Sequence, residues 1–387
     1  MSKNKEYYES NIGWVGISSD ISPSVSEKFM NVNDDDEGRN KIFRSHTVLK
    51  KVDRHGFVIS HQLHSKVSSL PNPSMTGKIG KRRERKWLDM VNNWEDMVSK
   101  KPNKIKERCQ KGIPQSFRPL AWQHLSGAIK LQKQNKDLYE SLLKNESKTS
   151  KWADIIKKDI PRTFRHHCMF YDHNSRGQDD LYKVLLAYSC YNAEIGYNQA
   201  LAPVAAVLLM HMQPEDTFWV LVSICKYYLP GYYGVKMEAM KLDGLIFGHL
   251  LNSNFPYIGK QMHFNNIDPL MYIVEWMVCM YARCLPFQTV LRIWDMFFCE
   301  GVKVLFKVGL AILKLVFPSS KDLVDKDDFQ ITQLLNNLPK EYTIETVLIP
   351  EALNISITER EFKKVQQKVI IENPDLEISR FNSSDLK

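Results

Sequence analysis

No apolar run in the sequence is long enough to span a bilayer. The longest predominantly apolar stretches, Ala200 to Met212 and Val304 to Phe317, fall short of the roughly 20 residues a membrane helix needs. The opening Met-Ser-Lys-Asn-Lys lacks the apolar core of a secretory signal. Cysteine is scarce: seven residues, an odd number, with no C-x-x-C pair. That argues against a disulfide framework and suits thiols in a reducing compartment. Strict apolar–polar alternation of the strand type is nearly missing, which predicts an all-α fold. Gly77-Lys-Ile-Gly-Lys81 does not have Walker A spacing, so the chain is not expected to bind a nucleoside triphosphate by itself. The expectation from these absences is a cytoplasmic protein.

What is present is ordinary in bulk. At 387 residues, 43% hydrophobic and 25% charged, the chain can bury a large core in one or two domains. The formal net charge is +9, and its basic residues concentrate early: Lys78, Lys81, Arg82, Arg83, Arg85 and Lys86, then Lys100, Lys101, Lys104, Lys106 and Arg108. A solvated basic face is the plain reading of this cluster; anionic lipid is the functional one. No RNA- or DNA-reading motif accompanies it, so nucleic acid is not an expected partner.

Residues 1–79 read as largely disordered, with serines, prolines and the acidic run Asp34–Glu37 interrupting any period. Within them Gly56-Phe-Val-Ile-Ser60 is a short apolar patch suited to docking on an unknown surface. Residues 80–111 form a basic lead-in helix with Trp87, Met90, Val91, Trp94 and Val98 on one face. Residues 112–317 carry the main helical domain. Pro114 is expected to open a helix presenting Phe117, Ala121 and Leu125. Further helices are predicted through Leu181–Tyr188, Glu215–Leu229, Lys236–Leu251, Leu270–Tyr281 and Val290–Phe297, with Gly301 as a stop and Val304–Phe317 as the last helix of the core. Residues 318–387 read as an extension with one helix, opened by a Thr358/Glu361 capping box.

One stretch, Ser150 to Leu209, organises the rest. Trp152, Ile155, Ile156 and Asp159 recur at helical spacing behind Ser150 as N-cap. Pro161 should end that helix, because it lacks an N–H and biases Ile160 away from helical backbone. Arg162 then lies on the exit turn, three residues after Asp159, whose carboxylate can orient it. Gly196-Tyr197-Asn198-Gln199 precedes a helix that is apolar on nearly every side, with Pro203 in its first turn. Gln199 thus stands at the N-terminal mouth of a buried helix, an end that favours anions. Taken singly, Arg162 is a surface arginine at a helix end and Gln199 a helix-start side chain.

Together, the I-x-x-D-x-x-R element at Ile156–Arg162 and the Y-x-Q at Tyr197–Gln199 resemble the TBC-domain family of Rab GTPase-activating proteins. The resemblance runs from about Lys86 to Phe317. It includes Gly112-Ile-Pro, Arg118-Pro-Leu-Ala-Trp122, Leu229-Pro-Gly-Tyr-Tyr233, Glu275-Trp276, Leu285-Pro286 and Arg292-Ile-Trp-Asp-Met-Phe-Phe298. Wording such as Lys86-Trp-Leu-Asp-Met, Leu208-Leu-Met-His-Met212 and Cys299-Glu-Gly-Val-Lys303 is most similar to the member-ten subgroup. The sequence departs from the family pattern at Arg165, where proline is usual, and at Pro161, a usually variable position.

The resemblance implies a two-lobed multi-helix domain (residues 112–317) with flexible extensions. It implies a GTPase activator in vesicle trafficking, cytoplasmic and in peripheral contact with membranes. Arg162 and Gln199 would enter the nucleotide pocket of a GTP-bound Rab, supported by Asp159, Gly196 and Tyr197. Such a protein is not itself an enzyme with a nucleotide site and has no cofactor of its own; the GTP and Mg belong to the Rab. A catalytically silent Rab-binding scaffold of the same fold is the alternative. His166, His167, Cys168, Asp172 and His173 are metal-ligand residue types, but they match no standard zinc spacing.

Overall fold

Helix boundaries in this protein mostly fall where proline, glycine or an asparagine side chain competes with the backbone. The computed structural model describes residues 41–44, 49–59, 78–146, 151–234, 236–374 and 376, and over these the chain is helical apart from one antiparallel hairpin. The hairpin pairs β1 (Lys41–Arg44) with β2 (Leu49–Val52), Lys41 opposite Val52. The lead-in is broken into two helices, α1 (Lys78–Asn92) and α2 (Trp94–Lys100). Asn93 sits at the break and donates its side-chain amide to the Asp89 carbonyl at 2.9 Å, the local competition with helix that asparagine favours. Trp87, Met90, Val91 and Trp94 are buried as their spacing predicts.

A third helix, α3 (Pro102–Gln110), opens on its proline and was not legible beforehand, since it buries only Ile105 and Cys109. Pro114 does not open a helix. It starts a turn in which its carbonyl accepts from Arg118 N–H at 3.1 Å, and α4 (Arg118–Ser126) begins there with Pro119 in its first turn. The chain continues through α5 (Ala128–Gln134), α6 (Leu138–Glu146), α7 (Ala153–Asp159), α8 (Arg176–Tyr191), α9 (Leu201–Leu209) and α10 (Pro214–Ser223), which runs on as a π-turn over Ile224–Tyr228. Helices α11 (Glu238–Asn254), α12 (Pro256–Phe264), α13 (Leu270–Val278), α14 (Phe287–Glu300) and α15 (Lys303–Val316) complete the predicted domain.

Packing divides into two groups. α6, α7, α9 and α10 surround α8, while α19 (Glu345–Asn354) lies along α15 and α20 (Glu359–Glu372) along α11. α14 bridges them, touching α3 and α4 on one side and α15 and α19 on the other. Its Asp295 is fully buried and accepts from Arg118, Trp122 and the Ile113 N–H. Every residue of α9 is buried, as its apolar composition predicts.

Two further sequence expectations change. The chain after Phe317 is not an extension with one helix: α16 (Lys321–Val324), α17 (Asp328–Asn336) and α18 (Lys340–Thr343) precede α19 and α20. Together they bury Leu323, Ile331, Leu335, Leu348, Ile349, Phe362 and Val369, so Val304–Phe317 is not the last helix of the core. Helices α16 and α18, four residues each, are too short to display a period, and α17 and α19 bury only two and three residues. Thr358 does cap α20 by accepting from Glu361 N–H. The expectation of disorder for residues 1–79 falls mainly outside the described residues, but part of that region is built. Asp53–Ile59 follows β2 and docks on His166–Cys168, with Val58 N–H donating to His166 O and Cys168 N–H to Gly56 O, both at 2.8 Å. This docks the apolar patch at Gly56–Ile59; Ser60 lies outside the described residues.

Candidate functional site

The site begins at the end of α7. Ser150, the expected N-cap, lies outside the described residues, and Trp152 occupies the cap position without a side-chain cap bond. The α-helix ends at Asp159, and Ile160-Pro161-Arg162 form a single 3₁₀ turn, the tighter geometry that often finishes a helix. Thr163 secures the exit: its hydroxyl donates to Asp159 O at 3.0 Å, and its N–H to Ile160 O at 3.0 Å. Arg162 therefore projects from a rigid turn with its side chain 69% exposed. Its Nε donates to Lys158 O at 3.1 Å, and its Nη2 lies 3.6 Å from Asp159 Oδ1. That ion pair is too exposed to hold much energy, but it gives the guanidinium a direction.

The second half is the loop ahead of α9. Asn198 closes it as an Asx turn, accepting from Ala200 N–H at 3.0 Å, and donates to the Tyr233 carbonyl at 3.4 Å. The Leu229–Tyr233 motif therefore abuts this loop. Gln199 follows with an exposed side chain, and Leu201 opens α9 two residues later.

The two halves meet through one bond. Tyr197 hydroxyl donates to Asp159 Oδ2 at 3.0 Å. Burial and the adjacent Asp159 carboxylate push the Tyr197 hydroxyl well above its usual range, so it remains a protonated donor. One carboxylate thus serves both loops, with one oxygen toward Arg162 and the other held by Tyr197. Arg165, by contrast, is exposed, and its Nε donates to the neighbouring His166 Nε2 at 3.2 Å.

Gly196 fits this loop for two reasons. Its φ is +64°, and a Cβ there would land 2.3 Å from the Trp152 ring. Gly196→Ala should therefore strain the backbone by roughly 1–2 kcal/mol and lift the loop off Trp152. The expected result is a melting temperature lower by several degrees, measured by thermal unfolding, with a shift in tryptophan emission. An unchanged melt and spectrum would contradict the packing described.

Sequence reasoning did not find Trp152 as the floor of the Gly196 turn, nor the partner of Phe57. Within the His166–His173 segment, His167 has a structural role. His167 Nε2 donates to His55 O at 2.8 Å, and its Nδ1 accepts from Met169 N–H at 3.2 Å. Among the described residues no group of three histidine, cysteine or acidic side chains is placed to hold a metal. His167 is 5% exposed, and burial pushes its pKa from the ordinary 6.5 down to about 4. A folded pKa below the unfolded one gives stability that is complete above the unfolded value and is lost as pH falls toward the folded one. His167→Asn should therefore destabilise the protein at pH 7, with the difference from wild type narrowing between pH 6.5 and 4. Urea titrations across that window provide the check.

These features accord with what the chain is similar to. A family model described as the Rab-GTPase-TBC domain matches residues 115–319. TBC1 domain family member 10A of Mus musculus is 43% identical over 318 residues, covering 81% of this chain and 62% of the relative. TBC1 domain family member 10B of Homo sapiens is 44% identical over 80% of this chain, of which the chain spans 38%. TBC1 domain family member whacked of Drosophila melanogaster is 38% identical, covering 83% of this chain and 88% of the relative. Among solved structures, the Chlamydomonas flagellar RabGAP TBC domain superposes with TM-score 0.58 at 26% identity, over 71% of this chain and 94% of that one. The Ypt/Rab-GAP domain of Gyp1p, at 16% identity and TM-score 0.56 over 73% of this chain and 99% of that one, shares the fold. No helix among the described residues is long and apolar enough to cross a membrane. The chain belongs to the Rab-GTPase-TBC domain family and is similar to its member-ten subgroup.

Proposed function

We propose that this chain accelerates GTP hydrolysis on a Rab-family GTPase by supplying Arg162 and Gln199 in trans. The observation that carries the reading is the exposed Arg162 on a rigid turn, linked by Asp159 and the Tyr197 hydroxyl to the loop that presents Gln199. During hydrolysis negative charge moves onto the β–γ bridging and γ-phosphoryl oxygens, and a guanidinium inserted from outside stabilises it. The planar, permanently charged arginine suits that role better than lysine. A glutamine amide can accept from the attacking water and donate to a phosphate oxygen at once, the water-orienting task in such reactions. In this reading GTP and Mg are held by the Rab, and the chain brings no nucleotide site or cofactor of its own.

The exposed cations of α1, Lys81, Arg82, Arg85 and Lys86, supply the attraction for an anionic membrane surface on which a Rab would be met. The test is single-turnover GTP hydrolysis across a panel of GTP-loaded Rab proteins, with Arg162→Ala and Gln199→Ala as controls. A cognate Rab should hydrolyse faster with the wild-type chain and lose that gain with either variant. Binding of a GTP-loaded Rab without faster phosphate release from any member would make the chain a scaffold instead.

A further inference from the structure

The segment Asp53–Ile59 lies upstream of the family match, which starts at residue 115, yet it packs on the residues that directly follow Arg162. Its own turn is locally shaped: Asp53 Oδ1 accepts from His55 N–H at 2.8 Å and from Phe57 N–H at 2.9 Å. Gly56 adopts φ +94°, and a Cβ there would sit 2.6 Å from His167 Nε2, so the strap approaches as closely as glycine permits. Phe57 pairs with His167 as an antiparallel bridge. Its ring meets Phe164 edge-on at 6.0 Å and Phe287 of α14 at 5.0 Å.

Phe164 is the reason this contact matters. It lies two residues beyond Arg162 and holds φ +44°, a left-handed backbone that costs an ordinary side chain roughly 1–2 kcal/mol. Such strain persists only where the surroundings over-determine it. Here those surroundings are Phe57 from the strap and Phe287 from the core, the latter 6.4 Å from Phe164. The Phe164 carbonyl also accepts from His167 N–H at 2.8 Å, so Phe57 is the strap's share of the contacts that hold this backbone two residues beyond Arg162.

We propose that the Asp53–Ile59 strap is a positioning clamp for the arginine loop, pre-setting the direction of Arg162 before a GTPase arrives. The proposal rests on the assignment of Arg162 above. Phe57 and Gly56 are positioning residues; neither reaches the reacting atoms.

The experiment uses the full chain carrying Phe57→Ala, with Phe57→Tyr as the conservative variant and Gly56→Ala as an independent way to lift the strap. The first readout does not depend on activity. Amide hydrogen exchange of Cys168, whose N–H is bonded to Gly56 O, should speed up in Phe57→Ala and Gly56→Ala while the helices stay protected. Unchanged protection at Cys168 would overturn the clamp. The second readout is GTP hydrolysis on an activated Rab. Small misplacements of a reacting group cost up to about 100-fold, so kcat should fall about 10- to 100-fold with KM unchanged, and Phe57→Tyr should recover most of it. In an Arg162→Ala background, Phe57→Ala should produce no further loss; an additive loss there would overturn action through Arg162. If Arg162→Ala alone keeps the wild-type rate, the finger assignment fails, while exchange at Cys168 still decides whether the strap holds the loop.

Discussion

Arg162→Ala is expected to remove about 10³–10⁵ of the acceleration of GTP hydrolysis on a cognate Rab, roughly 4–7 kcal/mol of barrier. Stability should hardly change. The side chain is 69% exposed, and its carboxylate partner at 3.6 Å keeps the Tyr197 hydroxyl as a second partner. Exposed pairs of this kind contribute about 0–1 kcal/mol. The variant should therefore bind GTP-loaded Rab as wild type does and melt at the same temperature. Arg162→Lys should also be deficient, because an ammonium cannot present two parallel donors to a phosphoryl group. Measured in single turnover, the loss should appear in kcat and kcat/KM alike, the pattern of an interaction made only in the transition state. Near wild-type acceleration by Arg162→Ala would end the assignment.

Asp295→Ala should have the largest effect on stability. Asp295 is fully buried in α14 and accepts four hydrogen bonds. These come from Ile113 N–H at 2.8 Å, Arg118 Nε at 2.9 Å, Arg118 Nη2 at 3.1 Å and Trp122 Nε1 at 3.0 Å. Arg118 is itself only 4% exposed. Removing the carboxylate leaves a buried guanidinium without its counter-charge, a change that costs about 3–5 kcal/mol. The denaturation midpoint should fall with the slope unchanged, since the surface exposed on unfolding stays the same. Restoring an apolar pair, Arg118→Met with Asp295→Leu, should be less damaging than Asp295→Leu alone, because the stranded charge is gone. A loss below about 1 kcal/mol for Asp295→Ala would mean that Arg118 finds water or another partner.

These two residues differ in what their surroundings ask of them. Asp295 is a hub between α14, α4 and the Gly112–Pro114 turn, and its geometry is a condition of folding. Arg162 is the reverse, an exposed end whose neighbours are arranged and whose own removal the fold should tolerate. The strap belongs to a third kind. Phe57 holds a strained Phe164 from more than a hundred residues away in the chain, so its effect should be visible in exchange and rate before it is visible in melting.

The amino-acid order alone determined much of this protein. Apolar residues at helical spacing, with Pro161, Pro230, Gly231 and Gly301 as breakers, placed most of the helices. The wholly apolar Leu201–Leu209 had nowhere to go but the interior. The positions of Arg162 and Gln199, one past a helix end and the other ahead of a buried helix, were legible for the same reason: caps and stops act over a few residues. What the tertiary structure decided were contacts between distant residues. The Asp159–Tyr197 bond spans 38 positions and Arg118–Asp295 spans 177. The seat of Phe57 on Phe164 and Phe287 was invisible as well, although the apolar patch carrying it was not. Helices α16 to α19 join the core for a like reason: each buries one to three residues against α12, α13, α14 or α15, and so narrow a face carries no period of its own. Periodicity and breakers are properties of neighbouring residues, whereas an acceptor for a buried donor, or the ring that steadies a strained turn, exists only once separate helices have packed.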